Sequence, residues 1–331
     1  MKPLSGILRT VALAAAGVAL ASGVSQSACA QGTYPTKPIR LIVAYAPSGA
    51  TDLVARVVAP PMSEVLGRTV VVENRGGAGG TIGMDVVAKA PPDGYTLSFG
   101  GTGNLVLAPY LYTKIPYNVQ TDLVPISDLV ISAYVLALNP SVPVKTIGEF
   151  IKLAKTNKNR LTYGTSGSGS TSHIAAELLR RAIGVELVHV PYKGTGPALA
   201  AVVAGEIDLM VADLTPALPF AKNGRLRLIA TTGAKRSTAA PELPTMTEAG
   251  FKMPVVEGRQ GLVAPAGTPA AIIERLHSAA VTVLKRSDVR SRISELGFEI
   301  LGDTPEQFTA DLKKDREAFG KVIREAGIHA E

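Results

Sequence analysis

The sequence predicts an α/β protein built from doubly wound, largely parallel sheets. Residues 39–45 are almost entirely apolar, which is typical of a strand buried on both faces of a parallel sheet. Along the chain, strand patterns alternate with turn residues and helical patterns, the order that produces parallel α/β architecture. A length of 331 residues suits two domains of about 100–200 residues each. The prediction is therefore two doubly wound α/β domains.

The first three units of this alternation lie before residue 100. Pro60 and Pro61 fall inside the first predicted helix and predict a kink or an interruption, because proline has no backbone N–H. Clusters of glycine follow the second and third strands, at residues 76–80 and 100–103. The predicted elements are a strand at 39–45 with a helix at 52–66, a strand at 70–74 with a helix ending near Lys89, and a strand at 95–99.

The middle of the chain repeats the same order, and the last part is helical. Gly184 follows a helical pattern directly, at the position where a left-handed residue is favoured. No low-complexity linker separates the segments, so we expect the domains to be joined by strands. The predicted strands are 130–138, 161–163, 185–190, 207–212 and 226–231, and the predicted helices are 147–154, 171–183, 196–204, 269–285, 287–296 and 304–326.

The first thirty residues have the pattern of a secretory signal peptide. Lys2 and Arg9 precede the short apolar run 11–21, and small residues then end in Ala28-Cys29-Ala30. The run is about half as long as the ~20 residues that span a bilayer, which disfavours an uncleaved anchor. A lipoprotein at Cys29 is disfavoured because no leucine precedes it at the usual place. We expect cleavage after Ala30 and a mature protein that is exported to the periplasm.

Composition excludes several classes of protein. Hydrophobic residues make up 46% and charged residues 18%, which is typical of a globular chain. A single Cys excludes a disulfide scaffold and a multi-cysteine metal cluster. The four His are scattered, so no metal site and no cofactor are predicted. The net charge of +7 permits an anionic partner, but the basic residues are spread among acidic ones, which argues against nucleic acid.

The common catalytic motifs are absent from the glycine-rich segment 164–170. It lacks the Lys-Ser/Thr ending of a phosphate loop and the last glycine of a dinucleotide-binding fingerprint. The pattern of a nucleophile elbow fails because Ser168 stands where its second glycine belongs. No enzyme is therefore predicted. The alternative is an exported serine hydrolase that uses Ser166 or Ser168 with His173, although no carboxylate that would orient the histidine is identifiable.

Two loops have a chemistry suited to binding a carboxylate. Residues 47–51 and 165–171 each connect a predicted strand to the N-terminus of a helix. Glycine allows close approach to the backbone, serine and threonine add hydroxyl donors, and the first N–H groups of a helix are unpaired. Together with the helix dipole, these groups can hold an anion without any Lys or Arg. The alternative for each loop is an ordinary capped turn. Two such loops, together with residues 100–102, favour a carboxylate held in a cleft, since ligands of doubly wound sheets bind where the strands end.

Seven motifs, in order along the mature chain, resemble one family. It is the family of Bug-type extracytoplasmic solute receptors, the binding component of tripartite tricarboxylate transporters. The motifs are Tyr45-Ala-Pro-Ser-Gly-Ala-Thr-Asp-Leu-Val-Ala-Arg56, Val72-Glu-Asn-Arg75, Gly77-Ala-Gly-Gly80, Pro92-Asp-Gly-Tyr95, Tyr163-Gly-Thr-Ser-Gly-Ser-Gly-Ser170 with His173, Val190-Pro-Tyr-Lys-Gly-Thr-Gly-Pro197 and Ala264-Pro-Ala-Gly-Thr-Pro269.

The resemblance implies a type II-like periplasmic-binding-protein fold, in which two α/β domains are joined by crossing strands. On that pattern, the first domain comprises residues 34–131 plus 236–331, and the second comprises residues 132–235. A small monocarboxylate or dicarboxylate would lie between the domains and draw them together. Receptors of this family hold the carboxylate mainly through backbone N–H groups, hydroxyls and bridging waters.

The resemblance also implies a set of ligand-binding residues, matched motif by motif. Asp52 is expected to shape the first loop and His173 to lie behind the second, neither touching the ligand. The residues expected to contact the ligand are Pro47, Ser48, Gly49, Ala50, Gly101, Thr102, Thr165, Ser166, Gly169, Ser170, Thr171 and Asp213.

Two departures from the family pattern bear on the ligand. The first loop reads Pro47-Ser48-Gly49 where the family usually has Pro-Gly-Gly. Arg259 and Gln260 stand where an aromatic residue commonly faces the cleft. One interpretation is that Arg259 points to solvent. The other is that it pairs with a second carboxylate of the ligand, while Gln260 binds a hydroxyl or keto group.

The sequence thus predicts a periplasmic solute-binding protein that closes around a small carboxylate. The resemblance implies that the closed form docks on membrane permease subunits or on the periplasmic domain of a sensor, and it does not separate the two. We expect the mature protein to be a monomer that binds no nucleic acid.

Overall fold

The computed structural model describes residues 34–156 and 161–329. Residues 37–331 belong to one compact unit, and residues 34–36 belong to the N-terminal unit that precedes it. The predicted signal peptide, residues 1–30, lies outside the described residues. Within the described ranges, no helix is long and apolar enough to cross a membrane.

Three parallel strands form one end of the sheet. Strand β1 (Ile39–Val43) lies between β2 (Val70–Asn74) and β3 (Thr96–Gly101), in parallel with both. Every residue of β3, and all but one of β1, is buried, in agreement with the apolar pattern that predicted a strand covered on both faces. The helices α1 (Ala50–Leu66) and α2 (Thr81–Ala88) connect these strands. This part of the fold follows the predicted strand–helix alternation.

Helix α1 is continuous, so the predicted interruption at Pro60 and Pro61 is wrong. The two prolines leave the carbonyls of Arg56 and Val57 without their helical N–H donors. Arg56 is exposed and Val57 is half-buried, so water can satisfy those carbonyls on the outer face of the helix. Gly67 then ends the helix in the left-handed conformation, and its N–H bonds the carbonyl of Ser63.

A second set of parallel strands forms the other end of the sheet. Strand β5 (Thr162–Thr165) lies between β6 (Val188–Pro191) and β7 (Leu209–Asp213), in parallel with both. Helix α5 (Thr171–Ile183) follows β5, and α6 (Thr195–Ala204) follows β6. Gly184 ends α5 in the predicted left-handed conformation. The loops after β1 and β5 therefore both lie at carboxyl ends of parallel strands.

Two long antiparallel strands, β4 (Leu123–Leu138) and β9 (Glu257–Pro265), join the ends into one sheet with the order β2-β1-β3-β9-β4-β7-β5-β6. Strand β4 pairs along its first part with β9 and along its last part with β7. The sequence predicted only the second half of β4 and did not predict β9. The N-terminal half of β4 contains Pro125, Ser127 and Asp128, which interrupt the apolar pattern.

Of the remaining elements, two short strands pair with β4 in the same sheet, and the helices cover the sheet. Buried side chains of β1, β4 and β5 belong to the same hydrophobic core, so the core runs through the joining strands. These elements are α3 (Ala108–Leu111), α4 (Ile147–Thr156), α7 (Leu214–Lys222), β8 (Arg227–Thr231), α8 (Ala270–Leu284), α9 (Ser287–Glu295), β10 (Glu299–Ile300) and α10 (Pro305–Ala326).

Candidate functional site

A cleft of about 730 Å³ lies between the loops at the two ends of the sheet. Its walls are formed mainly by strand-to-helix loops rich in glycine, serine and threonine. The predicted contact residues that line it are Pro47, Gly49, Ala50, Gly101, Thr102, Ser166, Ser170, Thr171, Asp213, Arg259 and Gln260. Ser48, Thr165 and Gly169 do not line the cleft, although the sequence placed them there.

The loop before α1 is held by the carboxylate of Asp52, which is 2% exposed. Its Oδ2 accepts the N–H of Ser48 at 2.9 Å, its Oδ1 accepts Nδ2 of Asn74 at 2.9 Å, and both oxygens lie 3.0 Å from Nε of Arg56. Burial alone would raise the pKa of Asp52, but these donors lower it below its usual value. Ser48 has a left-handed backbone, with φ of 66°. Its N–H is bonded to Asp52 within the loop. Its side chain is exposed and does not line the cleft.

The loop before α5 is closed by its own hydroxyls. The Ser170 hydroxyl donates to the carbonyl of Gly167 at 2.7 Å, and it accepts the N–H of His173 as the cap of α5. The N–H of Ser166 donates to Oγ of Ser172 at 2.9 Å. These bonds orient the loop, leaving Ser166, Gly167, Ser168 and Ser170 on the cleft side.

Two stacked histidines support this second loop from behind. The rings of His173 and His189 are 4.2 Å apart and nearly parallel. Nδ1 of His173 accepts the N–H of Gly169 at 3.1 Å, and Nε2 of His189 lies 2.7 Å from Oγ1 of Thr165. Because Gly169 and Thr165 are held by the histidines, they do not reach the cleft. Burial lowers the pKa of both rings, that of His189 to about 4, so they stay neutral near pH 7.

Arg259 lines the cleft, and its guanidinium is buried in a group of carboxylates. It contacts Asp128, its Nε lies 3.2 Å from Asp315, and its NH1 lies 3.5 Å from Asp311. Burial alone would lower the pKa of Arg259, but these carboxylates raise it. The side chain is only 13% exposed, so the alternative in which it points to solvent is wrong. The prediction that it pairs with a ligand carboxylate has no support in its contacts, since its charge is already compensated.

Hydrogen bonds connect the backbone of β9 near Arg259 with residues 100–102, the third predicted loop. The N–H of Arg259 donates to Oγ1 of Thr102 at 2.9 Å, and this hydroxyl donates to the carbonyl of Glu257 at 3.2 Å. The next residue, Gln260, faces Gly101 of β3 and is 4% exposed. Its Oε1 has no hydrogen-bond partner among the described residues. Gln260 therefore brings an unpaired amide oxygen to the cleft lining.

Asp213 ends strand β7 in the wall of the cleft and is 8% exposed. Its Oδ2 accepts the hydroxyl of Thr195 at 3.2 Å, and the phenol of Tyr134, its cross-strand neighbour, lies beside the same carboxylate. Burial raises the pKa of Asp213 above its usual value, against the opposing effect of these donors. A buried carboxylate is thus present in a cleft whose loops suit an anion.

The sequence reasoning missed the loop before α6, which lines the same cleft with Tyr192, Lys193 and Gly194. A Cβ placed on Gly194 would lie 3.9 Å from Cβ of Ala46. This loop therefore faces the loop before α1 across the cleft. The side chain of Lys193 is exposed. The rule that found the other loops, glycine between a strand and a helix N-terminus, applies equally to residues 192–196. Tyr45 and Tyr134 were also missed because nothing local distinguishes them from core tyrosines.

The family model of the tripartite tricarboxylate transporter family receptor matches residues 54–328. The chain belongs to this family. The match begins inside α1, so it includes both joining strands, residues 100–102 and the loop 165–171, but neither β1 nor the loop 47–51. Members of this family are solute-binding receptors and not enzymes, so the serine hydrolase alternative is wrong. In agreement, Nδ1 of His173 accepts a hydrogen bond from the backbone N–H of Gly169.

Solved structures of relatives share the fold and identify ligands of those relatives. The periplasmic binding protein BugD is 34% identical, with a TM-score of 0.84 over 90% of this chain and 100% of its own. Rpa4515 of R. palustris, solved with adipate, is 32% identical, with a TM-score of 0.86 over 90% and 100%. MatC of Rhodopseudomonas palustris, solved with malate, is 32% identical, with a TM-score of 0.82 over 88% and 100%. The predicted periplasmic-binding-protein fold is confirmed, and the protein is a periplasmic solute-binding receptor.

Proposed function

We propose that this receptor captures a small carboxylate, with a dicarboxylate favoured, in the cleft between its two α/β domains. The observation that carries the proposal is the lining of the cleft by loops that enter helices α1, α5 and α6. Gly49 and Gly194 provide no side-chain cap for α1 and α6, so the first N–H groups of these helices remain available to an anion. The adipate and malate bound by Rpa4515 and MatC support the same class of ligand.

The first carboxylate is assigned to the loops before α1 and α5. Both combine a helix N-terminus with small residues, and they come from opposite walls. A ligand that bonds both walls stabilises the closed form by its higher affinity for that form. The domain division is 34–131 plus 236–331 against 132–235, so β4 crosses from the first domain to the second and β9 pairs with it.

A second carboxylate is assigned to Lys193 instead of Arg259. Arg259 is compensated by Asp128, Asp311 and Asp315, whereas Lys193 lines the cleft with an exposed side chain. The backbone of this loop lies beside the second loop, because a Cβ at Gly167 would lie 3.3 Å from the carbonyl of Tyr192. The unpaired Oε1 of Gln260 is suited to a hydroxyl group between the two carboxylates, because an amide oxygen accepts a hydrogen bond.

The sequence pattern of residues 1–30 supports the proposed export, and the family supports the proposed partners. Residues 1–30 are a signal peptide cleaved after Ala30, and the mature receptor is a periplasmic monomer. Its closed form docks on permease subunits of a tripartite transporter or on the periplasmic domain of a sensor. Neither cofactor nor metal takes part.

A thermal-shift screen of residues 31–331 tests this function. The acids are adipate, malate, succinate, citrate, benzoate and acetate, before and after unfolding and refolding to remove a carried-over ligand. A bound acid stabilises the folded protein by about 2.7 kcal/mol at a hundredfold excess over Kd. A selective increase of the melting temperature with one class of acid supports the proposal. No shift with any acid after refolding contradicts it.

A further inference from the structure

Asp213 is a buried carboxylate with no cationic partner in the described part of the chain. It lies in the wall of the cleft and is 8% exposed. Its carboxylate accepts the hydroxyl of Thr195, and the phenol of Tyr134 lies beside it. Desolvation favours the neutral acid, so the pKa of Asp213 is raised above its usual value. An anion brought into the same cleft would favour the neutral acid further.

The phenol of Tyr134 lies close both to Asp213 and to one of the carboxylate loops. Tyr134 on β4 is directly opposite Asp213 on β7, is 6% exposed and lines the cleft. Its hydroxyl lies close enough to both Asp213 and Thr171, the first residue of α5, for it to hydrogen-bond to either. A phenol has one proton, so when Tyr134 donates to ionised Asp213 it must accept the proton of Thr171. Thr171 then offers only lone pairs to the cleft, and these repel a carboxylate.

Protonation of Asp213 reverses the direction of this chain of hydrogen bonds. The neutral acid donates to Tyr134, Tyr134 donates to Thr171, and the Thr171 hydroxyl is free to donate into the cleft. No covalent bond other than the O–H bond at Asp213 is formed, and the proton comes from water or buffer. Resting on the proposed function, we propose that the carboxylate ligand binds together with one proton, which resides on Asp213 and turns the Tyr134–Thr171 chain toward the ligand.

Other titratable groups surround Asp213 on the neighbouring elements, and no described one forms an ion pair with it. Burial also raises the pKa of Glu257, which makes its carboxylate the competing proton acceptor. The phenol pKa values are raised as well, so the tyrosines stay neutral. The surrounding groups are Tyr134 on β4, Tyr45 after β1, Lys193 before α6, and Glu257 and Arg259 on β9, on either side of Gly258.

Isothermal titration calorimetry measures the number of protons that the protein takes up when the ligand binds. The probe is adipate or malate, whichever gives the larger thermal shift, titrated in phosphate and in Tris at several pH values above about 7, where both ligand carboxylates are ionised. We expect buffer-dependent heats that reach the uptake of one proton per ligand, and an affinity that falls by up to about tenfold per pH unit. Identical heats in both buffers at every pH, with an affinity independent of pH, overturn the inference.

Two variants assign the proton. Asp213→Asn keeps a neutral group of similar shape, so it should bind the acid without proton uptake and with an affinity that no longer falls as the pH rises. Glu257→Gln removes the competing acceptor and should behave like the wild type. Proton uptake that survives in Asp213→Asn, or that is lost in Glu257→Gln, contradicts the assignment. If Asp213→Asn does not fold, the wild-type heats and Glu257→Gln still decide.

The two proposals fail in different ways. If no acid of the screen binds, the proposed function fails and this inference falls with it. If an acid binds with no exchange of protons, the function stands and the role of Asp213 is wrong. A ligand that instead carries an ammonium group to an ionised Asp213 would bind without proton uptake and would give that second result.

Discussion

The guanidinium of Arg259 shows how neighbours decide what a residue can do. Three carboxylates compensate it, and one of them, Asp128, is fully buried. Asp128 belongs to β4, whereas Asp311 and Asp315 belong to α10. The arginine therefore attaches the last helix to the joining strands of the sheet. In the cleft its contribution is the backbone N–H that fixes Thr102.

Replacing Arg259 should destabilise the fold. Arg259→Ala leaves the carboxylate of Asp128 buried without a cation, which costs about 3–5 kcal/mol. The measurement is the midpoint of urea unfolding. Arg286→Ala is the matched control, because Arg286 also bonds two carboxylates, Glu64 and Asp288, but at the surface, and should change the midpoint little. Equal midpoints for both variants would show that the contacts of Arg259 with its carboxylates do not contribute to the free energy of unfolding.

Replacing Lys193 should weaken the binding of dicarboxylates but not of monocarboxylates. Lys193→Met keeps most of the side-chain length but removes the charge, so the affinity for a dicarboxylate should fall by about two- to fivefold, more at low salt. A monocarboxylate should bind as before, because its one charge is held by the loops before α1 and α5. Calorimetry with adipate and hexanoate measures both, and Lys313→Met on α10 is the control. An equal loss for both acids would place Lys193 elsewhere in the mechanism.

At the scale of elements, the site is formed by the turns that enter the helices and by the first residues of those helices. The loops before α1, α5 and α6 all lie where a parallel strand gives way to a helix, and side chains behind them fix their shape. Asp52 does this for the first loop and the stacked His173–His189 pair for the second. These loops keep their geometry only while the helices pack closely on the sheet.

Close packing of α2 predicts different outcomes at two helical glycines. A Cβ at Gly83 would lie 2.7 Å from the carbonyl of Arg75 and 2.8 Å from Ala44, so Gly83→Ala should destabilise by about 1–3 kcal/mol. A Cβ at Gly148 on α4 finds its nearest atom 4.0 Å away. Gly148→Ala should be neutral or stabilise by up to about 1 kcal/mol. Urea unfolding compares them, and a stable Gly83→Ala would mean that α2 can move off the sheet.

For the whole molecule, function depends on two walls that approach around a ligand. Strands β4 and β9 cross between the two ends of the sheet, and the core continues through them. Motion of the walls must therefore bend paired strands, not a loose linker. Such a hinge has few alternative conformations, which suits a receptor whose closed form must be recognised by a partner.

Binding should make the receptor more compact. Small-angle X-ray scattering at a saturating concentration of the acid found in the screen should give a smaller radius of gyration than the empty protein, because closure brings the two walls together. An acid of the same charge that gives no thermal shift is the control. An unchanged radius with the bound acid would argue for a cleft that is already closed.

Local sequence patterns determined the parallel strands, the helices that follow them and the loops that line the cleft. Each depends on a period, a glycine or a cap within a few residues, so it is visible in the chain itself. Ordered motifs then indicated the receptor family. The same local rule, applied to residues 192–196, would also have found the loop of Lys193.

The tertiary structure alone decided the joining strand β9, the continuous helix α1 and the partners of each charge. Strand β9 is stabilised by pairing with β3 and β4, which are distant in the sequence. Arg259 and Asp213 carry opposite charges in segments that look equally suited to a ligand. Carboxylates from β4 and α10 surround the first, and only hydroxyls satisfy the second, because long-range contacts and burial set the electrostatic environment of a side chain.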